Sequence, residues 1–291
     1  MASLKETKTR IASVKSTLQI TSAMKMVAAA KLHRAQQAIA GMGPYQEKLG
    51  AILQDLLAGK GVRASLDTPL LRDNGSDRVA VVALSSNSSL CGGFNANAVK
   101  AFLGELDALE SAGVPREKID LYPVGKKIAD AARKIGFPVK QDVSHLLDKP
   151  AYEPAAAFAA TLTDSFEKGE VGRIVLLYNH YKSNASQPSV RDVFLPLALP
   201  EAGEGSEEED LIVEPGKKEV VEDLLPKVLL LKIYTVLLDS YAAEQAARTV
   251  AMQLASDNAD ELLEQLTLEY NKRRQQAITS ELLDIVGGSL A

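Results

Sequence analysis

The stretch SSNSSLCGGFN, residues 85–95, gathers the side chains best suited to chemistry. It follows the apolar run VAVVAL (79–84), the point where an α/β fold places a phosphate site or a nucleophile. Gly92 and Gly93 would let backbone amides approach a phosphate, and Cys91 beside a helix start and a base would attack as a thiolate. Each chemistry lacks its second half. Neither G-x-x-x-x-G-K-[ST] nor G-x-G-x-x-G occurs, and the loop contains no lysine. The only histidines are His33, His145 and His180, far apart in the chain, which also leaves no metal-ligand spacing. The residues therefore predict no catalytic, cofactor-binding or metal site. They predict a tight turn at Gly92 and Gly93 and a small buried hydrophobe at Cys91.

A second concentration of functional side chains is electrostatic. From Thr7 to Gln46 there is no Asp or Glu, in a chain with 38 acidic and 33 Lys or Arg residues. Three readings are open, the first being a solvated face or one neutralised within the chain. The acidic run Asp257, Asp260, Glu261, Glu264 and Glu269 would lie beside Lys5, Lys8, Arg10 and Lys15 in an antiparallel pair, each exposed ion pair contributing about 0–1 kcal/mol. A basic amphipathic helix would bind a membrane surface or a calmodulin-type groove, but short apolar side chains and the lack of Trp or Phe speak against that. Lys25, Lys31 and Arg34, too far along for the acidic run to neutralise, favour the third reading, docking inside an acidic protein partner.

Long elements must carry these groups. Residues 4 to about 57 read as helix, with a three–four alternation through Ile11, Val14, Leu18, Thr21, Lys25, Ala28, Leu32, Ala35, Ile39 and Met42. Gly41, Gly43 and Pro44 are expected to kink or end it. The same alternation runs from Val228 and Leu231 to Leu266 and Tyr270, lined midway by Ala242, Ala243, Ala246, Ala247, Ala251 and Ala255, which permit close approach of a second helix. Between these ends, strands at 79–84, 119–124, 173–181 and, weakened by Pro196, 189–199 alternate with helices near 96–111, 126–135 and 154–169. The expected fold class is α/β: long N- and C-terminal helices in an antiparallel coiled coil, with a central Rossmann-like, mainly parallel α/β domain. The divisions fall at 1–57, 77–215 and 218–288. EAGEGSEEED (201–210) reads as a loop.

Composition narrows the class. The net charge of -5 argues against wholesale nucleic-acid binding. The single cysteine permits no internal disulfide and fits a reducing compartment. LLPKVLLLKIYTVLL (224–238), broken by Pro226, Lys227 and Lys232, reads as a helix and not a membrane span, and MASLKETKTR lacks an apolar signal core. Ile278, Leu282, Leu283, Ile285 and Val286 lie where the partner helix has run out, which suits an apolar collar on another protein.

Three segments carry a family resemblance: IASVKSTLQITSAMKMVAAAKLHRAQ, SLCGGFNAN and SDNADELLEQLTLEYNKRRQQAITSELLDIVGG. Through them the chain resembles the gamma subunits of bacterial F-type ATP synthases over its whole length. The resemblance implies a non-catalytic central-stalk rotor, peripheral on the cytoplasmic face of the bacterial cell membrane. It would turn within three alpha and three beta subunits and stand on the c-subunit ring beside epsilon, with no cofactor. It further implies that Met24 and Lys25 face the acidic lever of a beta subunit, and that Arg274 and Gln275 catch a beta-subunit loop. Two positions depart from the family pattern: Ser22 stands where a basic residue is common, and Arg273 precedes Arg274 where a small residue is common. The cysteine pair of chloroplast relatives is absent. Apart from the resemblance, an α/β enzyme using Cys91 and a membrane- or calmodulin-binding helix protein remain the competing classes.

Overall fold

The computed structural model describes residues 4–58, 68–197, 213–214 and 216–289. Its elements are α1 (Leu4–Ala58), β1 (Val79–Leu84), α2 (Phe94–Ser111), β2 (Ile119–Val124), α3 (Lys126–Lys134), α4 (Tyr152–Glu167), β3 (Arg173–Asn179), β4 (Ser189–Leu195) and α5 (Lys217–Ser289). The loop expected at 201–210 lies outside the described residues.

The sheet order is β2-β1-β3-β4. β1 runs parallel to both neighbours, with Val79 opposite Ile119 on one side and Arg173 on the other. β4 is antiparallel to β3 and stops at Leu195, just before Pro196, shorter than expected because proline cannot donate to the ladder. Strand alternation sorts two apolar layers. Val79, Val81 and Ala83 face α2 and α3 with Phe102, Leu106 and Ile128. Ala80, Val82 and Leu84 face the opposite layer, made by Phe158, Leu162 and Phe166 of α4 with Val221, Leu225, Leu229 and Ile233 of α5. The first turns of α5 are thus part of the sheet's own core.

Beyond that core, α5 continues to a total of 73 residues, a rod of about 110 Å. α1 packs along it antiparallel. As α1 advances from Thr21 to Lys25, its partners step back from Ser256 (2.8 Å) to Gln253 (2.7 Å). Farther along, Leu32 and Ala35 meet Ala242 and Ala246.

α1 runs through Gly41, Gly43 and Pro44 to Ala58, close to the end expected near residue 57, so of the two outcomes expected at those residues the helix does not end there. The proline removes one helical hydrogen bond, a local cost. Packing beyond it outweighs that cost, since Leu49 and Leu56 are buried and Leu56 joins the cluster containing Val221 and Leu225.

Candidate functional site

Between β1 and β3 the connections leave in opposite directions, so a crevice opens at the carboxyl ends of these strands. Open α/β sheets bind ligands there. In this chain the crevice holds a helix. Cys91 and Phe94 from the loop after β1 pack with Ala243 and Ala247 of α5, with Tyr181 alongside. The amides that open α3 are also taken. Lys126 N–H donates to Asn87 Oδ1 (3.1 Å), Lys127 N–H to the Ser86 carbonyl (3.3 Å), and Ile128 N–H to Ser85 Oγ (3.0 Å). Serine and asparagine oxygens thereby occupy the positions where phosphate oxygens sit at a helix start. Gly125, at φ +122°, is required at that point, because a Cβ would lie 2.5 Å from Ser85 Oγ.

Cys91 is buried and receives a hydrogen bond from Asn95 Nδ2 at 3.0 Å. The His180 ring is engaged 2.7 Å from Asp239. His145 lies in the turn Ser144–Leu147, and His33 is exposed on α1. The structure does not assemble these groups with Cys91. Among the described residues, no group of three or more His, Cys, Asp or Glu side chains is placed to hold a metal ion.

The seat of α5 has a polar component that sequence reasoning missed. Glu244 and Arg248, one turn apart and both nearly buried, pair at 2.5 Å. Arg248 Nη2 also donates to Ser88 Oγ (2.8 Å) and reaches the Ser89 carbonyl (3.5 Å). Burial pushes the Glu244 carboxyl above the usual glutamate range, opposed by Arg248 and by the more distant Lys31. On the other loop, Asp239 faces His180 and accepts the Tyr181 N–H at 2.9 Å. The Tyr181 hydroxyl accepts from Gln36 of α1 and donates to Asn184, each at 2.9 Å, so one loop touches both long helices. The only sequence signal was a charged pair spaced i, i+4 inside an alanine run.

The long pair carries the groups expected to face partners. Met24 is half-buried at the edge of the seam. Lys25 is half-buried and donates to Gln253, so part of its bonding is satisfied within the chain. Lys31 and Arg34 are exposed on α1. Lys5 and Arg10 share a groove with Glu269, yet Glu269 pairs with Arg273 of its own helix at 2.6 Å. Among the described residues, no ion pair links Lys5, Lys8, Arg10 or Lys15 to the acidic run. Asp257 and Glu261 instead accept from Gln253 and Gln265 on α5.

Arg274 and Gln275 are exposed, just beyond the level that the first turn of α1 reaches. Gln275 lines a shallow groove with Thr279 and Leu283. Past them Ile278, Leu282, Leu283, Ile285 and Val286 are all exposed, Ile285 by 68%. The four expected contact residues therefore form two separate places on the rod, not one site. Among the described residues, no helix is long and apolar enough to cross a membrane.

The family model described as ATP synthase matches residues 3–291. The ATP synthase gamma chain of Phocaeicola vulgatus is 51% identical over 296 residues, covering 100% of both chains. That of Bacteroides fragilis is likewise 51% identical over 100% of both, and that of Flavobacterium johnsoniae is 43% identical over 100% of this chain and 99% of its own. The fold is also that of a chain in the Euglena gracilis mitochondrial ATP synthase OSCP/F1/c-ring assembly, with TM-score 0.64 and 24% identity, covering 99% of this chain and 94% of that one. A chain of the Tetrahymena thermophila mitochondrial ATP synthase central stalk and c-ring gives TM-score 0.58 at 24% identity, covering 81% and 99%. A doubly wound sheet whose ligand crevice is filled by its own shaft, and full-length identity of about half, lead to one assignment: the chain belongs to the ATP synthase gamma chain family.

Proposed function

We propose that the chain is the rotor of the central stalk, coupling ion flow through a c-subunit ring to ATP synthesis or hydrolysis at beta-subunit sites. Residues 1–57 and 218–288 would form the shaft and residues 77–215 the base, divided as the sequence suggests. The observation that carries this reading is the unequal pair of helices. α5 overruns α1 at one end and exposes an apolar tip, so the rod presents different surfaces in different directions.

Catalysis would belong to the beta subunits. A ring of three alpha and three beta subunits around such a rod experiences a different contact surface at each site. A contact shifts a site's conformational equilibrium only by its differential free energy for the two states. Turning the rod would therefore carry each nucleotide site through different affinities in sequence. Met24 and Lys25 would meet the acidic lever of a beta subunit, and Arg274 and Gln275 would catch a beta-subunit loop nearer the tip. The base would stand on the c-ring beside epsilon, peripheral to the membrane on its cytoplasmic face.

Co-expression with alpha and beta subunits of a close relative tests the proposal. A complex with three alpha, three beta and one copy of this chain is expected, hydrolysing ATP cooperatively while the chain alone hydrolyses none. Failure to co-purify, or ATPase activity unaffected by the chain, would overturn it.

A further inference from the structure

Asp239 and Arg248 are nine residues apart on α5. At 3.6 residues per turn, nine residues make two and a half turns, so the two side chains leave opposite sides of the helix, about 13.5 Å apart along its axis. Each is held by a different loop at the carboxyl edge of the sheet. The loop after β3 meets Asp239 through His180 and the Tyr181 amide, and the loop after β1 meets Arg248 through Ser88 and the Ser89 carbonyl.

Between the two grips, Ser240, Glu244 and Gln245 are buried, but the face turned to α1 and the loop after β1 is alanine. Ala242, Ala243, Ala246 and Ala247 are buried there, offering methyl groups to Leu32, Ala35, Cys91 and Phe94. The turns before Asp239 are held by their leucines in the sheet's core and by Lys232, which pairs with Asp192 of β4 at 2.9 Å; past them, where the helix leaves the sheet, apolar contact is non-directional and an alanine face alone does little to fix it about its own axis. Hydrogen bonds and ion pairs have angular requirements and do fix it. Two such grips on opposite sides of an axle oppose rotation in either sense.

We propose that Asp239 and Arg248 are paired rotational stops, which lock α5 to the sheet and pass torque between the base and the shaft. The inference rests on the rotor reading. Glu244 serves Arg248 by holding its guanidinium toward Ser88, and Gln36 extends the lock to α1 through the Tyr181 hydroxyl. These are positioning residues, acting on beta-subunit chemistry only through the rod.

The test uses the assembled complex with alpha and beta, fixed through those subunits and arrested with ADP. A reporter rod is attached to the base through Lys134→Cys, an exposed position on α3. The angular variance of the rod at rest reports torsional compliance. Asp239→Ala combined with Arg248→Ala should raise that variance at least twofold. Asp239→Asn, which keeps an acceptor for the Tyr181 amide but loses the carboxylate facing His180, should raise it less. Lys227→Ala, which breaks a surface pair with Asp223, and Phe102→Leu, which loosens the opposite layer of the base, should leave it unchanged even where melting temperature falls.

Unchanged variance in the double variant and in Asp239→Asn would overturn the lock while leaving the rotor reading intact. If the double variant does not assemble, Asp239→Asn alone decides. If the unaltered chain does not assemble with alpha and beta, the rotor reading falls, and the torque role falls with it.

Discussion

A size swap across the helix pair tests the register on which the shaft depends. Leu32 of α1 and Ala246 of α5 are both buried in one small cluster, with Ala35 and Ala242 completing it. Leu32→Ala replaces a buried isobutyl group with a methyl and leaves a gap the two rods can only partly close, a loss of about 2–4 kcal/mol. Ala246→Leu drives extra carbons into a filled seam and costs about 1–3 kcal/mol. Combined, the added leucine occupies the space vacated by the removed one. The double variant should then lose less than the two singles together, by about 1–3 kcal/mol, the range found for side chains in direct contact. For a chain of this size each kcal/mol moves the melting temperature by about 2–4 °C. Far-ultraviolet circular dichroism of the isolated chain resolves a difference of that size, because most of the helical signal comes from α1 and α5. Additivity within about 0.5 kcal/mol would mean that the two side chains do not share a space, and the antiparallel register would be wrong.

Two further perturbations address the seat of the shaft. Gly125→Ala forces a side chain into φ +122° and against Ser85 Oγ, so it should cost at least about 3 kcal/mol and sharply cut soluble yield. Gly104→Ala, mid-helix and in open space, should be neutral or mildly stabilising, and equal behaviour of the two would refute the argument. Glu244 gives a pH signature. Its carboxyl is raised by burial, so the folded chain binds that proton more readily than the unfolded one, and stability falls as pH rises from 4.5 through the raised native value. Glu244→Gln should remove that fall, so the melting temperature of the original chain relative to the variant declines across the window. Parallel melting curves against pH would sink the assignment.

The shaft was legible because its signal is periodic and long. Thr21, Ala28, Leu32, Ala35, Met252, Ser256, Ala259 and Leu266 are all buried as the alternation requires. Even the polar interruption at Thr21 has a structural answer, a hydrogen bond to Ser256. Pro44 does not end α1, because Leu56 beyond it packs in the cluster with Val221 and Leu225, residues far away in the chain that local propensity does not register. The grips at Asp239 and Arg248 were illegible for a related reason. Both partners sit in loops whose approach to α5 is fixed only once the sheet has formed. A charge within a helix looks the same whether solvent or a loop faces it.

The loop SSNSSLCGGFN resembles a ligand loop because it solves a ligand loop's physical problem with its own atoms. The start of a helix at the carboxyl edge of a parallel sheet concentrates unpaired amides and positive potential. A nucleotide-binding fold answers these with phosphate oxygens. Here Ser85 Oγ, the Ser86 carbonyl and Asn87 Oδ1 supply them, and Gly125 keeps the space between strand and helix narrow enough for Ser85 to reach. With the amides answered internally, the crevice is free to take an apolar guest, and the alanine face of α5 is that guest. The same exchange of phosphate oxygens for the chain's own atoms gives the sheet a socket for a rod. A chain that turned the crevice back toward ligand binding would have to give up the contacts of Cys91 and Phe94 with Ala243 and Ala247, and with them the hold of its base on its shaft.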